Sequence, residues 1–357
     1  MKRFTVILCT AALVAAAASC NKLNQSENIQ PVDEGQKAAV TLGVKVEGVD
    51  VITKAGDLAG QEYEKQVNKT SFFVFNSDGS KLEAYKAVSA ASAEMSLKLN
   101  EAYRIYALVN YNGSSDLTAI QNETALKALA MNLKDDSRTA ATGFQMLSEA
   151  ESKTFTDADL KCELTVSRIA ARVRLVKVAN NLPAAAGAIT VDAVYLSNVV
   201  GNWAITAPAL DWFNKMGRSS TTKASIGAEE TVKAQTYQAV NKSVAVGAED
   251  ATVSNLYCYA NGSTVIPAGW KDSGYAGEQT MMVIETTIGG AKYYYPVNIS
   301  NRVTPKEIQR NYTYDVAVTI NNYGSTDEPD EEIATKTMTV SVKVAEWQDG
   351  GDVNIAI

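Results

Sequence analysis

Apolar and polar residues alternate with period two along much of this chain, and that alternation predicts strands. In "AVTLGVKVEG", Val40, Leu42, Val44 and Val46 share one face. "TSFFVFNSDGSKLEAYKAV" reads as a strand, an Asp78-Gly79 turn and a second strand. "EAYRIYALVNYNG" puts Tyr103, Ile105, Ala107 and Val109 on one face. Further strand candidates are "VSRIAARVRLVKV", "AITVDAVYLSNV", "SNLYCYA", "QTMMVIETTIGG" and "KYYYPVNIS". "NYTYDVAVTI" alternates through Tyr312, Tyr314, Val316, Val318 and Ile320. The closing stretch "TMTVSVKVAEWQDGGDVNIAI" does so twice: Met338, Val340, Val342 and Val344 share one face, and Val353, Ile355 and Ile357 another. One region departs from this rhythm. Leu117, Ile120, Leu126, Leu129 and Leu133 recur at roughly helical spacing and predict a helix from Ser115 to about Leu133, capped by Ser115 or Asp116. Many short strands and one minor helix predict an all-β fold of two β-sandwich domains.

The chain of 357 residues is long enough for two such domains. Residues 1–20 read as a targeting segment, with Lys2 and Arg3 ahead of an apolar stretch that ends in "AASC". Small residues before a cysteine resemble a bacterial lipoprotein signal, with Cys20 the lipidated residue and membrane attachment through a lipid anchor only; the alternative is an ordinary signal peptide cut nearby. Residues 21–37 are polar and read as a flexible tether. A boundary is expected near residues 150–163, giving an N-terminal domain over 38–160 and a C-terminal domain over 161–357. Cys9 leaves with the leader, so Cys162 and Cys258 remain, either as a disulfide or as separate buried thiols.

Charge and composition narrow the chemistry. The net charge of -7 argues against a nucleic-acid partner, which calls for a basic surface. With no histidine, Ser/His/Asp and Cys/His catalysis and the commonest transition-metal ligand are removed. Arg168, Arg172 and Arg174 suggest an anion site, or more plainly an ion-paired or solvated strand face. The run Asp327, Glu328, Asp330, Glu331 and Glu332 lacks calcium-loop spacing and reads as a solvated loop. Tyr293, Tyr294 and Tyr295, with Trp270 and Tyr275, offer a sugar-stacking platform or ordinary sandwich packing. Nothing in the glycine spacing makes a phosphate loop. No catalytic, cofactor or metal site is expected, and the chain does not read as an enzyme.

The lipoprotein-like start, "VSRIAARVRLV", "IQRNYTYDVAVTINNYG" and the closing "TMTVSVKVAEWQDG" occur in series. In that order they resemble the fimbrillin (major fimbrial subunit) family of Bacteroidetes, the subunits of type V pili. The resemblance implies two tandem transthyretin-like β-sandwich domains. It also implies a lipoprotein precursor at the outer membrane, a trypsin-like protease that removes the first strand, and a fimbrium on the cell surface. The vacated groove would be filled by the C-terminal strand of another copy or of a related pilus subunit, in support of adhesion to a host or bacterial surface ligand.

Carried to this chain, the displaced strand is the one bearing Val40, Leu42, Val44 and Val46. The donor region is 337–357, with Trp347 between its two alternating parts. The family cuts after arginine, but this chain has no arginine between Arg3 and Arg104, so Lys54–Ala55 in "VITKAGD" becomes the expected bond, with Lys65 and Lys69 as alternatives. A reading from another class is a monomeric surface lipoprotein that binds glycans.

Overall fold

The structure, a computed structural model, describes residues 35–48, 61–206, 212–213, 229–251, 254–262, 280–304, 307–327 and 338–346. Its first half supplies β1 (Lys37–Val46), β2 (Thr70–Asn76), β3 (Leu82–Val88), β4 (Ser92–Lys98), β5 (Ala102–Val109), β6 (Met131–Asn132), β7 (Met146–Ser148), β8 (Glu151–Thr154) and β9 (Lys161–Arg168). All but β6 join one eight-stranded sheet in the order β3-β2-β5-β7-β9-β1-β4, with β8 paired to β5. The sheet curls so that its two ends approach, where Lys86 Nζ donates to the Glu94 carbonyl at 2.7 Å and Thr70 Oγ1 to the Ala90 carbonyl at 2.8 Å.

Alternation sorts these strands onto two faces. Val40, Leu42, Phe72, Val74, Met95, Leu97, Ile105, Ala107, Leu164 and Val166 fill the inside of the curl. Phe73, Phe75, Tyr106 and Leu108 point the other way, into a second core shared with the rest of the chain. β2 is therefore buried on both faces, which explains its unbroken apolar run.

The second half supplies β10 (Ala170–Asn180), β11 (Ile189–Ser197), β12 (Val199–Val200), β13 (Asn202–Trp203), β14 (Trp212–Phe213), β15 (Tyr237–Val244), β16 (Glu249–Asp250), β17 (Leu256–Tyr259), β18 (Asn261–Gly262), β19 (Met281–Ile288), β20 (Ala291–Asn298), β21 (Glu307–Ile308), β22 (Tyr312–Ile320) and β23 (Met338–Glu346). One sheet runs β16-β10-β22-β23 with β17 on β10, and a second runs β15-β11-β19-β20. Val173, Leu175, Val316 and Val318 of the first meet Val191, Val194, Ile284 and Val297 of the second in a common core, which is the sandwich arrangement. The expected boundary at residue 160 falls ahead of β9. That strand pairs with β1 and β7 in the first sheet, and the chain crosses to the second set of sheets at Ile169.

The expected helix over 115–133 is broken. Asp116 accepts from Thr118 N at 2.9 Å and caps a single turn, Leu117–Ala119; Ile120 is extended. A five-residue helix, α1 (Glu123–Lys127), then starts on Asn122, whose side chain accepts from Ala125 N at 2.8 Å. Met131–Asn132 is already strand, paired with β13. Two causes act together. Asp116 and Asn122 offer the backbone local alternatives to helix. The β2–β3 turn captures main-chain groups between them, with Leu82 N donating to the Gln121 carbonyl at 2.7 Å and Glu123 N to the Gly79 carbonyl at 2.8 Å. The apolar stripe still does its packing work: Ile120, Leu126, Leu129 and Leu133 are buried. A second helix, α2 (Glu229–Thr236), carries no comparable periodicity signal and was not anticipated.

Gly79 sits at φ +75°, and a Cβ there would lie 2.9 Å from the Glu123 Cβ. Glu123 is itself fixed by a two-pronged bond from Arg104, both contacts at 2.8 Å, and so cannot step aside freely. Gly79→Ala is expected to cost about 1–3 kcal/mol in stability, read from denaturant unfolding.

Candidate functional site

β1 is an interior strand contributed by the start of the described chain. It pairs antiparallel with β4 and parallel with β9, so both of its edges are hydrogen-bonded. Val40 and Leu42 are fully buried, Val46 nearly so, and Val44 packs half-buried against the same core. Val40 lies opposite Met95, Leu42 opposite Ala93 and Cys162, Val44 opposite Leu164, and Val46 opposite Val166. Burying the three most enclosed side chains contributes about 5–9 kcal/mol before ordering costs. Cys162 and Cys258 are free and buried. Desolvation pushes the Cys162 thiol up to about 11 and that of Cys258 up to about 12.

Beyond β1, the chain is anchored again at Gln61–Glu64. Glu64 is fully buried, and its carboxylate accepts from Arg172 Nη1 at 2.7 Å, from the Tyr257 hydroxyl at 2.5 Å and from Gln61 N at 2.8 Å. Tyr63 joins through its hydroxyl, 3.0 Å from that of Tyr257. Desolvation, and then the Glu64 charge, hold the Tyr257 phenol far above its ordinary range. Arg168, also fully buried, donates through Nε to the Glu64 carbonyl at 2.7 Å and through Nη1 to the Glu47 carbonyl at 3.3 Å. Arg174 forms a two-pronged pair with Asp315, both contacts 2.6 Å. The three arginines are thus ion-paired or hydrogen-bonded. Arg168 and Arg172 lie in the interior rather than on a solvated face, because their partners come from distant parts of the chain.

Among the described residues the tail strand β23 lies at the end of its sheet and pairs with β22 alone, Ile320 opposite Met338 and Tyr314 opposite Val344. Met338 is buried; Val340, Val342 and Val344 pack half-buried against the core; Thr339, Ser341 and Lys343 are exposed. The two strands carry similar patterns. Val40-Thr41-Leu42-Gly43-Val44-Lys45-Val46 matches Met338-Thr339-Val340-Ser341-Val342-Lys343-Val344 in its apolar positions and shares Thr and the Val-Lys-Val run.

Cys20, Lys54, Ala55, Trp347, Val353, Ile355 and Ile357 lie outside the described residues, as do Trp270, Tyr275 and Glu328–Glu332 of the acidic run. Of the tyrosines, Tyr295 is buried and donates to the Asn322 carbonyl at 3.0 Å, while Tyr293 packs on exposed Tyr323 with ring centres 5.1 Å apart. Among the described residues, no cluster of three His, Cys, Asp or Glu side chains could hold a metal ion, and no helix is long and apolar enough to cross a membrane.

Sequence reasoning passed over Glu47, Glu64, Asp136 and Gln145, isolated polar residues without a motif around them. Asp136 is fully enclosed. Its Oδ1 accepts from Gln145 N at 2.7 Å, its carbonyl from Gln235 Nε2 at 2.5 Å, and Gln145 Nε2 reaches the Tyr259 hydroxyl at 3.1 Å. This network ties the first half of the chain to α2 and β17.

A scan against protein-family models gives no match, and neither does a search of curated proteins. Solved structures do match. A candidate cell adhesion protein from Bacteroides eggerthii superposes with a TM-score of 0.64 at 21% identity, over 89% of this chain and 98% of that one. A fimbrilin from Porphyromonas gingivalis W83 does so with a TM-score of 0.58 at 14% identity, over 87% and 98%. The chain has the fimbrillin fold. The tip fimbrial protein Mfa3 of Porphyromonas gingivalis, with a C-terminal truncation, shares that fold at a TM-score of 0.51 and 13% identity, over 87% of this chain and all of its own. The fimbrillin fold here thus consists of several sheets in two domains, with β1 enclosed in the first and β23 at the margin of the second.

Two outcomes follow from the buried charges. Glu64→Gln leaves Arg172 buried without its counter-charge and is expected to destabilise the chain by about 3–5 kcal/mol in denaturant unfolding. Burial pushes the Asp136 carboxyl up to about 7, well above the ordinary carboxylate range. The folded chain therefore holds a proton there that the unfolded chain has released. This contribution to stability is complete below the unfolded value and is lost as pH rises through about 7. Thermal unfolding followed between pH 5 and pH 8 should show Tm falling with pH, and Asp136→Asn should flatten that slope.

Proposed function

We propose that this chain is a structural subunit of a surface fimbria. In this reading it is exported as a lipoprotein acylated at Cys20, trimmed at Lys54–Ala55 and polymerised by donor-strand exchange with copies of itself or related subunits, in support of adhesion. The observation that carries the reading is the placement of β1. Loss of an interior strand at the start of the described chain opens a groove that another strand of matching alternation can fill.

The tail suits that groove. At β22 the tail strand is hydrogen-bonded along one edge, whereas a strand between β4 and β9 is hydrogen-bonded along both. Met338, Val340, Val342 and Val344 repeat the spacing of Val40, Leu42, Val44 and Val46, and Val353, Ile355 and Ile357 repeat part of it. Either part of the 337–357 donor region therefore restores apolar cover and backbone pairing together. A contact that joins the groove of one copy to the tail of the next does not close on itself and grows into a filament. The Glu64 anchor favours Lys54 over Lys65 and Lys69 as the cut. A break ahead of Gln61 leaves Glu64 bonded to Arg172, whereas one after Lys65 severs it from the domain.

Cys162 provides the test, because it faces Leu42 across the parallel ladder. Mature surface protein is expected to begin at Ala55 by mass spectrometry and to form filaments in electron micrographs. Its Cys162 should react with a thiol reagent only between release of β1 and insertion of a donor, while Cys258 stays protected throughout. Lys54→Ala should leave an acylated monomer with Cys162 unreactive. Filaments built from chains that keep their first strand would overturn the reading.

A further inference from the structure

The apolar pattern of β1 fixes its own position along the slot only weakly. Val40, Leu42, Val44 and Val46 are all aliphatic, so a slide of two residues keeps large aliphatic side chains at three of the four core positions and brings Ala38 or Gly48 to the fourth. Only a one-residue slip turns the pattern inside out. Something else must set the register, and polar groups at the downstream end of the slot can do so.

There, Glu47 N donates to the Val166 carbonyl at 2.8 Å, and the Glu47 carbonyl accepts from Arg168 Nη1 at 3.3 Å. The Glu47 carboxylate accepts from Asn311 Nδ2 at 2.8 Å. Asn311 is held in turn, its Oδ1 accepting from Arg168 N at 3.4 Å and Arg168 Nη1 at 3.3 Å. Its own backbone is at φ +58° and donates to the Ala170 carbonyl at 3.0 Å. Asn311 is buried at the head of β22, so the end of a first-domain strand is read by a second-domain side chain. The amide orientation follows from its two partners, with the oxygen toward the guanidinium and the nitrogen toward the carboxylate.

We propose that Arg168 and Asn311 form a register stop: a built site for the downstream end of β1. Its ligand class is a backbone carbonyl with an acidic side chain on the same residue, placed directly after the last buried apolar position. A slide of two residues in one direction brings Lys45 to this level, an ammonium facing two donor groups. A slide in the other brings Val49, which has no acceptor side chain. Only the register seen supplies a carboxylate. The nearby pair of Lys45 with Glu163, at 3.4 Å, is solvent-exposed on both sides and contributes little to the choice.

The inference concerns β1 and stands apart from the assembly reading: with Met338–Val344 aligned on Val40–Val46, a donor strand brings Ala345, which has no carboxylate, to the Glu47 level. The stop itself is testable in the intact chain. Asn311→Asp keeps a residue tolerant of the left-handed backbone and sets a second carboxylate against Glu47. Asn311→Gly keeps the backbone and removes the amide. In hydrogen exchange at pH 7, the amides of Thr41–Val46 should exchange about tenfold faster in Asn311→Asp, with β2 and β5 unchanged. Adding Glu47→Gln should bring them back to within about twofold of the parent chain. Asn311→Gly should show a smaller rise, and Cys162 labelling should follow the same order. Unchanged β1 exchange in Asn311→Asp, or a rise shared equally by β2 and β5, overturns the stop. Loosening of β1 in a chain that never forms filaments upholds the stop and removes the assembly reading alone.

Discussion

The structure depends on a strand, β1, held along both edges between β4 and β9. Interior strands are the most strongly fixed parts of a sheet, because their backbone groups are paired on either side and one face is out of water. Here the strand stands at the start of the described chain, between β4 and β9.

The surroundings fit that placement. Downstream, Glu64 is fastened by Arg172 and Tyr257 to the second domain, so the chain after the loop keeps its place whatever happens before it. Inside the slot the wall is aliphatic and regular, which suits any strand of matching alternation. At the edge of the second domain, β23 presents such a strand, with Thr339, Ser341 and Lys343 exposed on its far face. Polar exposed residues and a lysine blunt an edge strand against indiscriminate pairing. Selective pairing then requires a slot that supplies both edges and a core.

Much of the fold was legible because period two is a local property. The faces of β1, β5, β22 and β23 follow directly from residue order, and so does the Asp78-Gly79 turn. What was not legible depended on distance in sequence. The helical stripe from Leu117 to Leu133 is real as a packing surface. Its backbone is diverted by Asx caps and by hydrogen bonds to a turn some forty residues upstream, from Leu82 N and to the Gly79 carbonyl. "VSRIAARVRLV" reads as one strand region, but it spans two sheets, because Ile169 marks a change of partners that no local pattern encodes. The arginines could not be paired from sequence, since Arg172 meets Glu64 across 108 residues and Arg168 meets Asn311 across 143.

Those long-range pairs explain why buried charge is tolerated where apolar packing would hold as well. A buried ion pair is weak evidence of stability, since desolvation offsets most of its attraction. Its value lies in direction: a guanidinium accepts a few geometries, whereas an aliphatic contact accepts many. Arg168 ends the last strand of the first sheet, and Arg172 lies near the start of the strand that opens the second. With a single residue, Ile169, between those strands, the relative setting of the two sheets rests on whatever these side chains grip. They grip Glu47 at the end of β1 and Glu64 beyond it. The same pair of arginines therefore ties the end of β1, the chain at Glu64 and the second domain to one another.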